Sequence, residues 1–225
     1  MTLQNVVPWG RNFDEYRAMF ALDAADLNAK ILGCGDGPSS FNCELTMKGG
    51  SVVSIDPVYR FTEEEIGQRI AETAETVLEQ VELHKDKYVW TSIGSVAELE
   101  AIRMSAMNRF LEDYDRNKSE GRYIEASLPH LPFADKAFDL VLCSHFLFLY
   151  SDHFDLNFHI ESVLEMCRTG DEVRIFPLLD LKGRRSSYLE PILEALQQRG
   201  CRCEIETVDY EFQRGGNEML RVTRL

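Results

Sequence analysis

The sequence predicts an α/β protein with a doubly wound sheet. Three observations carry that reading. Short apolar runs alternate with segments of helical period along most of the chain. One run, Phe138 to Cys143, is nearly continuous in apolar residues, as suits a strand covered on both faces. The last two strand-like runs flank Arg214-Gly215-Gly216-Asn217, a turn signal that makes the closing pair antiparallel.

The elements follow in order. Asn12-Phe13-Asp14-Glu15 fits a capping box, and Phe13, Tyr16, Met19 and Phe20 recur at helical spacing, so a short helix opens the chain. Ala29 to Leu32 reads as a strand running into Gly33-Cys34-Gly35-Asp36-Gly37. Pro38 suits the first turn of the next helix, where its missing N–H costs nothing; that helix carries Phe41 and Leu45 and stops at Gly49-Gly50. Ser51 to Ile55 is the second strand, closed by Asp56-Pro57. Capping boxes at Thr62 to Glu65 and Ser95 to Glu98 then start two amphipathic helices, where one would complete a crossover. The first is strongly acidic, with seven glutamates against Arg69 between residues 63 and 82. A solvated outer face accounts for most of that charge. Tyr123 to Ala126 is the third strand and Phe138 to Cys143 the fourth. Leu156 to Cys167 is a helix, Glu172 to Phe176 the fifth strand, and Ser187 to Glu190 a further capping box. Cys201 to Val208 and Glu218 to Thr223 close the sheet. No repeat or linker divides the chain. It reads as a single domain over 1–225, with an N-terminal helical segment at 1–28 and a helical insertion, or cap, at 61–115 after strand 2.

Composition narrows the function. At 225 residues a chain buries roughly 70% of the surface it would expose unfolded, enough for a core without staples. Lys+Arg 24 against Asp+Glu 38 leaves a net charge of −14, which repels phosphate backbones and anionic membranes. The only local basic strip is Lys182-Gly183-Arg184-Arg185. No run reaches the ~20 apolar residues of a membrane helix, and Met1 to Gly10 lacks the regions of a signal peptide. Nucleic-acid and membrane partners are therefore not expected. The six cysteines read as reduced thiols of a cytoplasmic protein, and Cys201-x-Cys203 as two thiols on one strand face rather than a metal pair.

The glycine loop points to a ligand. Glycines between a strand and a helix let the backbone approach a ligand closely. Asp56, 19 residues after Gly37, is placed to accept both hydroxyls of an adenosine ribose. A Walker loop is excluded because Pro38-Ser39 follows the last glycine where Lys-Ser/Thr is needed. A dinucleotide loop wants G-x-G-x-x-G, and this is G-x-G-x-G. An adenosine ligand without phosphate is the alternative.

Gly33-Cys34-Gly35-Asp36-Gly37 resembles the first motif of the class I S-adenosylmethionine-dependent methyltransferases, written D-x-G-C-G-x-G. Asp56 resembles that family's ribose acid. Leu131 to Val141, read as L-P-F-x-D-x-x-F-D-x-V, is very similar to the segment leading into its fourth strand, and the closing hairpin also fits. The resemblance spans roughly residues 29 to 225. It implies a Rossmann-like, seven-stranded sheet with an antiparallel last strand and S-adenosyl-L-methionine as cofactor. By resemblance, Gly33, Cys34, Gly35, Asp36, Gly37, Asp56, Pro57, Ser127, Leu128 and Ser144 are its expected cofactor-binding residues. Two positions depart from the pattern. The acid two residues before the first glycine falls at Ile31, and the acid near the adenine amine falls at Ser127, whose hydroxyl, with the Leu128 N–H, still suits the adenine edge. Family members often fold an N-terminal segment over the cofactor, so Arg11 is a candidate grip for the methionine carboxylate.

Methyl transfer is an in-line displacement that needs positioning, no metal, and a base only for a protonated acceptor. His145, at the end of the fourth strand, is the candidate catalytic residue. Phe146, Phe148 and Tyr150 are read first as core and second as pocket lining. Asp152, His153 and His159 lack the spacing of a metal set on one helix. Trp90, between the two inserted helices, is a candidate substrate contact. The expected function is a methyltransferase acting on a small-molecule acceptor. A non-catalytic or regulatory protein keeping the fold, motivated by Ile31 and Ser127, stands as the alternative, and a nicotinamide-dependent reductase as a third reading. The oligomeric state is left open.

Overall fold

In the computed structural model, which describes residues 7–224, seven strands share one sheet. They are β1 (Lys30–Cys34), β2 (Ser51–Ile55), β3 (Tyr123–Ile124), β4 (Phe138–Ser144), β5 (Gly170–Phe176), β6 (Cys201–Thr207) and β7 (Glu218–Arg224). Their order is β3-β2-β1-β4-β5-β7-β6. The first five are parallel, and β7 runs antiparallel to both neighbours. This is the doubly wound α/β sheet expected from the sequence. The reading of Met1 to Gly10 falls largely on residues outside those described.

Six helices cover the faces: α1 (Phe13–Met19), α2 (Phe41–Met47), α3 (Glu63–Leu83), α4 (Val96–Lys118), α5 (Leu156–Thr169) and α6 (Leu189–Gln197). Alternate side chains of the central strands serve opposite faces. Leu32, Val141 and Cys143 pack with Val163, Met166 and Ile192 under α5 and α6. Ile31, Leu140 and Leu142 pack with Tyr16, Phe20 and Phe41 on the other side. Fully buried parallel strands need such apolar residues in both directions. A third cluster joins the inserted helices to the sheet edge: Ile66, Ile70, Met107, Phe110 and Tyr114 close on Tyr59 and Tyr123.

Local chemistry sets the helix starts. Asn12 and Thr62 form complete capping boxes with Glu15 and Glu65. Ser95 caps α4 by accepting the Glu98 N–H, but the Glu98 carboxylate takes the Gly94 N–H instead of closing the box. At Ser187 the expected capping box is absent; α6 starts one residue later, after Tyr188, without a side-chain cap. Pro38 does not open a helix either. It lies in a turn, and α2 begins at Phe41, because Ser39 and Ser40 first tie the N-terminal segment down: the Ser40 N–H and the Ser39 hydroxyl both donate to the Arg11 carbonyl, at 3.0 and 2.8 Å. Gly33 and Cys34 belong to β1 rather than to the loop, since β2 and β4 supply partners on both sides. β3 is shorter than expected, ending at Ile124.

Candidate active site

The carboxyl ends of β1, β2, β4 and β5 open into a cavity of about 320 Å³, within the range of small-ligand sites. Arg11, Tyr16, Gly35, Asp36, Gly37, Asp56, Pro57, Ser144, His145, Phe146 and Tyr150 line it, so the loop, the strand-end acid and the β4 end meet as the sequence expected.

Asp56 is bound from two directions. One carboxylate oxygen accepts the Gly37 N–H at 2.9 Å and the other the Val58 N–H at 2.8 Å. Burial outweighs these bonds and pushes its pKa up to about 6. A carboxylate offers about four lone-pair sites. Two remain for ligand hydroxyls.

Gly35 has a φ of +68°, and a Cβ there would stand 3.1 Å from the Phe146 ring. Both the left-handed backbone and the ring exclude a side chain. Asp36 turns inward. Its carboxylate accepts the Tyr16 hydroxyl at 2.9 Å and the Ser54 hydroxyl at 2.6 Å, and burial pushes its pKa up to about 6 as well.

His145 also sits at positive φ, +51°. Its N–H donates to the Phe176 carbonyl at 2.6 Å, and Nδ1 lies 2.9 Å from the Ser144 hydroxyl. Burial, with Arg11 and Arg103 nearby, holds its pKa well below the ordinary histidine value, so the ring is neutral near pH 7.

Arg11 has a poor set of partners. One terminal nitrogen donates to the Trp9 carbonyl at 3.0 Å, while the buried Nε has none. The carboxylate nearby, Glu15, is taken: it accepts Arg103 at 2.5 Å, the Tyr210 hydroxyl at 3.0 Å and the Asn12 N–H at 3.1 Å. Burial and the second guanidinium lower the Arg11 pKa.

A family model described as a methyltransferase domain matches residues 93–166. An uncharacterized protein of Methanocaldococcus jannaschii is 36% identical over 225 residues, covering 100% of this chain and 99% of that one. The chain belongs to one family with that archaeal protein, and its residues 93–166 match a methyltransferase domain. Among solved structures, a TehB-like methyltransferase from Corynebacterium glutamicum shares the fold, with a TM-score of 0.50 at 14% identity over 94% of this chain and 87% of that one. A magnesium protoporphyrin IX methyltransferase from Synechocystis, solved with bound S-adenosylhomocysteine, gives 0.47 at 12% identity over 89% and 77%.

Several residues that suit a methyltransferase from sequence lie off the cavity. Gly33 and Cys34 stand behind it: Gly33 makes room for Asp36, and Cys34 is fully buried against the α5 side. Ser127 is exposed and pairs with His130, while Leu128 is buried in the same core, and neither lines the cavity. Phe148 is core, but Phe146 and Tyr150 do reach the site. Trp90 stands one layer back, stacked edge-on against Tyr88 and Phe212, which form the wall. His159 has its ring nitrogens 2.7 and 2.9 Å from the Asp155 and Leu147 carbonyls, and Asp152 pairs with Lys182.

The structure also brings in lining residues that the sequence reading did not single out: Arg60, Arg103, Tyr88, Tyr210 and Phe212. Arg103 and Arg69 were readable only as helix surface, and Tyr210 and Phe212 as strand flank. Their meeting depends on how the inserted helices fold back over the sheet.

Proposed function

We propose that the protein is an S-adenosyl-L-methionine-dependent methyltransferase that acts on a small-molecule acceptor in the cytoplasm. The observation that carries the reading is Asp56, set at the end of β2 with two unused acceptor sites and facing a loop that admits no side chain at Gly35. A ribose fits that arrangement. A dinucleotide fits less well, because its pyrophosphate loop wants G-x-G-x-x-G and this one is Gly33-x-Gly35-x-Gly37.

Asp56 holds the ribose, with Gly35, Gly37 and Pro57 beside it. Arg11 meets the methionine carboxylate, supplying the charge match that Ile31 lacks. Gly33 and Cys34 act from behind, by shaping the loop, and Ser127 and Leu128 are left with at most a role at the adenine end. The cofactor, when bound, supplies an electrophilic methyl group on a sulfonium. Ser144 and His145 line the same cavity, which supports placing them near that methyl group. His145 is uncharged, and its free ring nitrogen can take a proton from the acceptor only as a weak base, because burial and the nearby guanidiniums lower its basicity; Ser144 fixes the ring by bonding Nδ1. α3 and α4 contribute Arg69, Val77, Val81, Leu99 and Arg103 to the cavity wall, which supports a role for them as its roof. Among the described residues no helix is long and apolar enough to cross a membrane.

The test is calorimetric titration of the protein with S-adenosylhomocysteine and, separately, with NAD. Binding of the first and not the second supports the reading. Binding of neither favours a non-catalytic protein that keeps the fold.

A further inference from the structure

The charges around the cavity are not explained by cofactor binding alone. The chain carries a net −14, yet four guanidiniums line this one cavity: Arg11, Arg60, Arg69 and Arg103. α3 sharpens the point. It bears seven glutamates and one base between residues 63 and 82, and the base, Arg69, is the only one of the eight that lines the cavity.

Against these cations stand Asp36 and Asp56. The first is held by two hydroxyls and the second by two backbone N–H groups. Glu15 matches Arg103. Arg60 and Arg69 differ from both inner arginines. Their guanidiniums lie 4.6 and 4.0 Å from the centroid of the Phe61 ring, so each is fixed through its face. Among the described residues neither makes a direct ion pair with a carboxylate, and Arg69 bears on Glu65, one turn before it, only through its longer-range charge. A guanidinium stacked by its face keeps its N–H edges free for an oxyanion. The wall running inward from them is apolar: Val77, Val81, Tyr88, Leu99 and Phe212.

We propose that the methyl acceptor is an organic anion, a carboxylate or phosphate ester with an apolar or aromatic body, whose charged group is held by Arg60 and Arg69 at the entrance. The inference rests on the methyltransferase reading and names the substrate class of that site. A cavity lined by one sign of charge concentrates ligands of the other sign and speeds their entry. The cofactor's ammonium and carboxylate cancel, but its sulfonium would add to the positive field, so an anionic acceptor would gain further with S-adenosylmethionine in place.

The test uses the full chain, with and without saturating S-adenosylhomocysteine, titrated with phenyl phosphate, with benzoate, and with phenol as the neutral match. Phenyl phosphate or benzoate should bind saturably and about tenfold or more tighter than phenol. Arg60→Gln and Arg69→Gln should each weaken that anion by about tenfold and leave S-adenosylhomocysteine affinity unchanged. No saturable binding of either anion, equal binding of phenol, or an anion lost in Arg11→Gln but kept in both mouth variants overturns the proposal. Failure of S-adenosylhomocysteine itself to bind the unmodified protein is a separate result, and it removes the methyltransferase reading first.

Discussion

The carboxylate of Asp36 occupies the space that a side chain at Gly33 would fill: a Cβ on Gly33 would stand 1.8 Å from Asp36 Oδ2. Asp36 cannot simply swing away, because Tyr16 and Ser54 both donate to it. Gly33→Ala should therefore cost roughly 1–3 kcal/mol of stability, as overpacked sites do. In an Asp36→Ala background the same change should cost much less. Urea denaturation of the four proteins in this cycle measures the coupling; equal costs in both backgrounds would mean that the two residues do not compete for the space.

Asp56 should dominate cofactor affinity. Removing its charge-assisted hydrogen bonds by Asp56→Ala should weaken S-adenosylhomocysteine by ~1.5–3 kcal/mol, or about ten- to hundredfold. Calorimetry reads this directly, and an unchanged affinity would take Asp56 out of the site.

Both carboxyls carry a pH signature. Asp36 and Asp56 have pKa values raised from about 3.8 in the unfolded chain to about 6 in the folded protein. The folded state therefore binds more protons than the unfolded state between these values. The stability this contributes is full below pH ~4 and is lost as pH rises through ~6. Ligand binding runs the other way, because ribose hydroxyls donate to the ionised Asp56. Affinity for S-adenosylhomocysteine should rise between pH 5 and 7, with a midpoint near 6. In Asp56→Asn the rise should flatten. A pH-independent affinity in the unmodified protein would count against Asp56 as the ribose acceptor.

Sequence patterning made the sheet legible because parallel strands must be apolar on both faces, and the glycine loop and Asp56 legible because their positions follow from the strand ends. The seven-strand reading holds for that reason. Pro38 was misleading: its φ suits a helix start, but hydrogen bonds from Ser39 and Ser40 to the distant Arg11 carbonyl delay α2. Ser187 fits the capping pattern, but the chain enters α6 at Tyr188 with αR backbone. The cavity's cations were hidden for a related reason. Arg69 among glutamates reads as a solvated helix face, and only the fold of α3 over the strand ends turns it toward the cavity.

Arg11 should read the amino-acid end of the cofactor. Its Nε is buried without a partner, and the adjacent carboxylate is already committed to Arg103. Lysine keeps the charge but loses the planar fork. Arg11→Lys should weaken S-adenosylhomocysteine by about tenfold, and 5′-methylthioadenosine, which has no carboxylate, much less. Equal losses for both ligands would show that Arg11 does not contact the carboxylate.

The pair Glu15 and Arg103 ties the N-terminal helix to the roof. Arg103 is 1% exposed on α4, and its contact with Glu15 on α1, at 2.5 Å, spans 88 residues of sequence. Tyr210 closes the group from the connection before β7 by donating to the same carboxylate. Arg103 and Arg11 lower the Glu15 pKa despite burial. A carboxyl held lower in the folded state contributes stability above its unfolded value of about 4.5, and that stability is lost as pH falls through the lower folded value. Breaking a buried pair leaves the survivor uncompensated, at a cost of about 3–5 kcal/mol. Arg103→Met should therefore destabilise strongly, and Glu15→Gln should recover part of the loss when added to it, because it removes the stranded charge. The same coupling bears on the roof as a whole. Ile66, Ile70, Val77 and Val81 of α3 are all buried, so replacing residues 63–90 by a flexible linker should cost the fold itself rather than acceptor turnover alone. Thermal melts of the double-mutant cycle, with far-UV circular dichroism of the linker variant, provide the check. Additive losses for Glu15 and Arg103, or a linker variant that melts like the unmodified protein, would show that the inserted helices lie on the domain without holding it together.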